Sequence, residues 1–389
     1  MVRGIRIAFL MVLGLSVAAQ AASFVSLGDL PGGQVISRAL DISADGTAVV
    51  GTSASAAGDQ AFLWTSGGGM VGLGDLPGGQ TVSAGNGVSG DGSVVVGGSN
   101  STSGPEAFAW TSGGGMVGLG DLPGQTFDSS AADISSDGQV VVGTSRSGSG
   151  TEGFGFVWTG GGGMQGLGDL PGGLFLSFAT GVNTDGSAVV GYSSSASGFL
   201  GEAFLWSPGG GMTALGDLPG GMFRSAAADV SDDGQVVVGT GRTAAGDEAF
   251  IWTAGGGMVG LGDLPGGSIL SHANAVSADG SIVVGGSSSA ASDQAFVWMG
   301  GTMAPLRQLL INTGLGQDIA GWSLKDATGL SDDGTIITGW GINPQGHEEA
   351  WVANLGAPIS KLIPEPLTAM ALFAGIAGLG GYLRKRRLA

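Results

Sequence analysis

Six aspartates recur at one position along the chain: Asp29, Asp75, Asp121, Asp169, Asp217 and Asp263, each in Leu-Gly-Asp-Leu-Pro-Gly. A carboxylate just before a Pro-Gly turn is expected to accept turn amide hydrogen bonds. The sharper chemistry of such a ring is binding of calcium or sugar hydroxyls. A second set of acids, Glu106, Glu202 and Glu248, stands directly before Ala-Phe. Together with Trp322, which breaks the tryptophan spacing, these glutamates are the candidate ligand-binding residues. Residues for catalysis are scarce. His272 and His347 stand far apart, Tyr occurs twice, Cys not at all, and Gly-x-Ser-x-Gly is absent. Matches to Gly-x-Gly-x-x-Gly such as 67–72 and 161–166 recur as hairpin turns and open no helix, so a nucleotide site is not expected. No catalytic residue, resident metal or cofactor is assigned, with calcium the one ion the acids could hold.

These residues belong to a unit of 46–48 residues that recurs seven times, the last copy degenerate. Such a period marks a repeat architecture. Each unit reads as four short strands. The first is Ser- and Ala-rich, as in Ala39–Ser43, and the second is a valine run, as in Val140–Gly143. The third is Ala-Phe-x-Trp, as in Ala61–Trp64, and the fourth resembles Met70–Leu76. Asp-Gly joins the first pair as a hairpin and Gly-Gly-Gly the second. Four strands per unit is the content of a propeller blade. A valine run with no polar face demands burial on both sides, which favours a propeller over a solenoid. The expected fold is all-β: a seven-bladed β-propeller over residues 23–356. Phe24–Leu30, a fourth-type strand, is expected to pair with the third-type strand Ala350–Leu355 and close the ring.

Spacing also separates constant from variable parts. Leu-Gly-Asp-Leu to Asp-Gly is 18 residues in the first six copies. Asp-Gly to Trp is 19 in four of these copies and 21 in copies three and four, and copy seven inserts 9 residues around 311–327. Both variable loops emerge on one face of a four-stranded unit, opposite the Asp-Gly turns. Variable loops on a rigid scaffold are where binding concentrates, so that face, with Trp322 on it, is the expected functional one. The repeated tryptophans Trp64, Trp110, Trp158, Trp206, Trp252 and Trp298 are expected in the core between blades.

Composition excludes other classes. The chain has 389 residues, 82 of them Gly, with 42% hydrophobic residues and a net charge of −18. That much apolar content is incompatible with disorder. Six of the thirteen basic residues lie near the ends, so the folded part is more acidic still. Nucleic acid and anionic lipid are thereby repelled.

The ends read as addresses. Residues 1–22 carry Arg3 and Arg6, a short apolar run and Ala-Gln-Ala, the layout of a signal peptide. At the other end the linker 357–366 carries Pro364-Glu365-Pro366. The apolar stretch 367–383 follows as a short transmembrane helix, and Arg384, Lys385, Arg386 and Arg387 form a basic stop in the cytoplasmic tail 384–389. These three parts in order resemble the PEP-CTERM sorting signal of Gram-negative bacteria. That resemblance implies export, processing by an exosortase at the inner membrane, and association with exopolysaccharide and biofilm. The repeat resembles the bacterial HAF extracellular repeat, with Gln60, Glu106, Glu202, Glu248 and Gln294 where that family has histidine. This implies an extracellular location and no established chemistry. The expected role is a non-catalytic cell-surface or matrix protein that binds polysaccharide or a surface protein. The alternative is an extracellular propeller enzyme, a glycosidase or lyase.

Overall fold

The computed structural model describes residues 21–357 and 359, apart from 125–126, 147–152, 199–200 and 291. The expected signal peptide (but for its last two residues), Pro-Glu-Pro motif, transmembrane helix and basic stop lie outside these residues. Among the described residues no helix is long and apolar enough to cross a membrane.

The chain folds as a β-propeller of four-stranded antiparallel sheets. In unit 1 the strands are Gly32–Ile42, Ala48–Ser55, Gly58–Thr65 and Gly69–Gly72, running from the axis outward. Five further units repeat this order. The last is Ser323–Leu330, Ile336–Ile342 and Glu348–Asn354, completed by the N-terminal strand Ser23–Gly28. That strand pairs antiparallel, Ser23 opposite Asn354 and Gly28 opposite Ala350, as the terminal motifs predict. The innermost strand of each unit touches that of the next, and the last touches the first.

The valine pairs explain why single units cannot stand alone. Val49 packs with Leu27, Ala350 and Val352 of unit 7, whereas Val50 packs with Val88, Val95 and Phe108 of unit 2. Alternate residues of one strand thus serve two different cores. Phe62 and its counterparts Phe108, Phe156, Phe204, Phe250 and Phe296 are fully buried in these inter-unit cores. The tryptophans Trp64, Trp110, Trp158, Trp206, Trp252 and Trp298 pack against them, as expected.

The innermost strands are longer than the sequence suggests and carry a register shift, between Ala39 and Asp41 in unit 1. The glycine after each valine pair faces this bulge. A Cβ on Gly51 would lie 2.0 Å from the Arg38 carbonyl, and one on Gly97 1.8 Å from that of Ala84. The Val-Val-Gly motif is therefore a steric requirement of the bulge. At the Asp-Gly turn, Asp45 Oδ1 accepts from the Thr47 amide at 2.9 Å and the Ser43 hydroxyl at 2.8 Å.

The copy-seven insertion corrects an expectation. It forms the helix Leu306–Asn312 and following turns, which bury Leu306, Leu309, Leu310, Leu315 and Ile319. Trp322 belongs to this small core and is 8% exposed. Its ring meets Phe24 edge-on at 5.3 Å, and the Arg307 guanidinium holds the Ile319 and Trp322 carbonyls at 3.0 and 2.9 Å. The insertion is apolar enough to fold back, so Trp322 braces the closing strand instead of facing solvent. Trp322→Ala should cost about 3–5 kcal/mol, as for other buried aromatics. A urea unfolding midpoint equal to that of the parent would refute this placement.

Candidate functional site

Two groups of polar residues on the innermost strands define the chemistry near the axis. The first is a set of inter-unit clasps. The bulge turns Asp41 toward unit 2, where Oδ2 accepts from the Val88 amide at 2.9 Å while Oδ1 accepts from Ile42 at 2.7 Å. Asp133 holds Val182 at 2.9 Å, and Asp229 holds Val276 at 2.8 Å. Units 2, 4, 6 and 7 have Gly or Ala at this position and use the preceding residue instead. Asn86 donates to the Ala131 carbonyl at 2.7 Å and Thr180 to that of Ala227 at 2.9 Å. Asn274 donates to the Ala327 carbonyl at 2.9 Å and Thr328 to that of Ala39 at 3.0 Å. Every junction thus has one clasp at the same level.

Asp41, Asp133 and Asp229 line an axial cavity of about 110 Å³ at the Asp-Gly end. All three are half-buried in its wall. Burial, with the charge of Asp229 adding, pushes Asp41 up to about 7 against two amide hydrogen bonds. Burial and then the charge of Asp41 push Asp133 up to about 8. Burial and then Asp133 push Asp229 up to about 7. Among the described residues no three His, Asp or Glu side chains converge as a metal site. Sequence reading missed these aspartates because the bulge that aims them is invisible in the residue pattern. The one available signal was the alternation of Leu-Asp-Ile, Asn-Gly-Val, Ala-Asp-Ile and Thr-Gly-Val along successive copies.

The predicted binding glutamates do other work. Glu106 accepts from the Gly120 amide at 3.2 Å and Glu248 from that of Gly262 at 2.9 Å. Glu202 is buried and takes the Ser195 hydroxyl. Each satisfies local donors, so these acids and the buried Trp322 do not form one rim. Of the Leu-Gly-Asp-Leu acids, Asp121 and Asp217 accept turn amides as expected, from Leu122 at 3.0 Å and Leu218 at 2.8 Å. Asp75 instead leaves Oδ1 buried without a partner, and burial raises its pKa.

The second polar group lies on the variable-loop face, around unit 7. His272, read from sequence as solitary, places Nε2 3.0 Å from Asp326 Oδ2, and Asn274 donates to Asp326 Oδ1 at 2.9 Å. Burial disfavours the imidazolium, but the hydrogen bond and charge of Asp326, with Asp293 adding, outweigh it and raise the His272 pKa. Gly286 makes room for the pair: a Cβ there would lie 2.7 Å from the imidazole Cε1 and 2.8 Å from Asp326 Oδ1. The pair borders a cavity of about 240 Å³ that also meets Leu270, Asp293, Lys325 and Trp340. On the neighbouring side the Arg38 guanidinium stacks 4.7 Å from the Trp340 ring and pairs with Glu348. Arg38, Glu348 and Asp59 border a second hollow of about 420 Å³. Both concavities thus flank the unit that departs most from the repeat.

No protein-family model matches the sequence, and no curated protein matches it. Among solved structures, the chain is similar to TolB from Acinetobacter baumannii (TM-score 0.45, 14% identity). That match covers 69% of this chain and 62% of that one, so the chain spans under two thirds of that TolB. It is also similar to the β-propeller domain of the Trilobed protease from Pyrococcus furiosus (TM-score 0.49, 11% identity, 84% of this chain and 97% of that one). A third similar structure is an oligogalacturonate lyase from Vibrio parahaemolyticus (TM-score 0.49, 10% identity, 86% of this chain and 97% of that one).

The axial carboxylates give a stability prediction. Their folded pKa values lie above the ordinary 3.8, so the folded state holds more protons than the unfolded chain between that value and about 8. Their contribution to stability should be greatest below that window and fall as pH rises through it. Asp133→Asn should flatten part of this slope in melting temperature between pH 5 and 8. An unchanged slope would show that the axial carboxylates are not its source.

Proposed function

We propose that this protein is an exported, non-catalytic surface or matrix protein, a seven-bladed propeller that binds polysaccharide through its variable-loop face. One observation carries the reading: in the unit where the repeat breaks, Trp340 joins His272, Asp293, Lys325 and Asp326 around one cavity, and the Arg38 guanidinium stacked on Trp340 borders a second hollow with Asp59 and Glu348. A repeat scaffold keeps its turns constant and concentrates recognition where its loops vary.

The chain ends support the orientation. Ser23 lies opposite Asn354, which in turn pairs with Ile336 just past the Asp333-Gly334 turn. Both terminal segments therefore leave beside the Asp-Gly turns. A chain tethered by the apolar stretch 367–383 turns its variable-loop face away from the membrane. In this reading an exosortase-type enzyme processes the exported chain near Pro364–Pro366. Intact-mass measurement of the mature protein should show loss of Arg384–Arg387, and a complete tail would refute processing.

The His272–Asp326 pair favours one second reading, an extracellular polysaccharide-cleaving enzyme, because an imidazole oriented by a carboxylate is a general-base arrangement. The two readings separate in one experiment. Full-length protein in mild detergent is applied to immobilised polysaccharides, and the eluate is assayed for new reducing ends and unsaturated products. Retention without products is expected. Product formation that His272→Asn abolishes would replace the binding reading with the enzymatic one.

A further inference from the structure

Resting on that polysaccharide reading, we propose that the cavity between the sixth and seventh units binds one neutral pyranose unit, with Trp340 as its stacking surface. At about 240 Å³ the cavity falls below drug-sized sites of about 300–1,000 Å³ and suits a single ring. Its lining is amphipathic in the way a sugar ring is. Leu270 and Trp340 offer apolar surface to ring C–H groups, while Ser288 and Asp293 offer groups that pair with hydroxyls.

Charge selects the class of sugar. Asp293 and Asp326 face Lys325 and His272 around the same space, so acidic and basic groups are matched. A uronate would meet two carboxylates, and an amino sugar would meet the lysine and the imidazole. A neutral ring meets neither penalty and uses donors and acceptors of both kinds. Asp326 is already committed, one oxygen to His272 and the other to Asn274. It is a positioning residue that fixes the imidazole, leaving Asp293 as the exposed carboxylate for hydroxyls. Gly286 completes the arrangement, because any side chain there would displace the His272–Asp326 pair from the cavity wall.

The corresponding positions in other units lack this combination. Where unit 7 has Trp340, units 1 to 6 have Thr52, Gly98, Thr144, Tyr192, Thr240 and Gly286, and Tyr192 is covered by Phe178 stacked at 4.7 Å. One site per chain is therefore expected, with the rest of the polysaccharide passing over the rim.

The test is an array of neutral, uronic-acid and amino-sugar oligosaccharides probed with full-length protein in mild detergent, followed by titration of the best neutral binder. Neutral oligosaccharides should bind with one site per chain. Trp340→Ala should weaken binding tenfold or more, and Asp293→Ala several-fold. Phe175→Ser, an exposed residue of unit 4 on the same face, should leave it unchanged. Because Trp340 also supports Arg38, melting curves accompany each variant; if Trp340→Ala melts early, Asp293→Ala and Lys325→Ala decide. Binding that survives Asp293→Ala and Trp340→Ala unchanged overturns this site and leaves the polysaccharide reading standing. Binding confined to uronates or amino sugars overturns the neutral assignment. If no oligosaccharide binds, the polysaccharide reading itself fails.

Discussion

Every unit of this protein depends on its neighbours because its second strand has no polar face. Val49 and Val50 point into cores shared with two different units, and the same holds round the ring. A sheet apolar on both sides is stable only between two others. Removing one unit exposes two cores, so the ring must close. The N-terminal strand closes it by pairing with Glu348–Asn354, and the insertion helix packs Trp322 against Phe24 to secure that seam.

The polar clasps follow the same logic at finer scale. Innermost strands crowd round the axis, and their bulges leave amides and carbonyls that need partners out of reach of bulk water. Carboxylates on units 1, 3 and 5 accept amides, while amide and hydroxyl side chains on units 2, 4, 6 and 7 donate to carbonyls. A two-step alternation cannot close on an odd number of units. Units 6 and 7 both carry donors, and two residues before those donors His272 meets Asp326. The break in symmetry and the concentration of distinctive side chains coincide.

The acid chemistry of the axis and that of the rim differ for the same reason, solvent access. Asp41, Asp133 and Asp229 are enclosed and mutually repulsive, so their charged forms are disfavoured. The turn aspartates Asp91, Asp185 and Asp233 accept hydrogen bonds near solvent, from Ser93, Ser187 and Gln235 foremost, and are held below the usual carboxylate range. One residue type thus serves as clasp or turn anchor according to how many protein atoms surround it.

The sequence by itself determined the repeat, the four-strand unit, the double-sided burial of the valine strand and the partner of the N-terminal strand. These follow from local period and composition, which are the same in every copy. It also placed the six repeated tryptophans in the core. Tertiary structure alone decided where side chains aim. The bulge at Ala39–Asp41 turns a repeated aspartate into an inter-unit clasp, and no residue pattern announces a register shift. Trp322 looked exposed because it sits in an insertion, yet the insertion carries enough Leu and Ile to bury it. His272 and Asp326 are 54 residues apart and meet only because adjacent units bring equivalent strands side by side. Spacing along a chain specifies a repeat, whereas contacts between repeats depend on ring closure, which is a property of the whole.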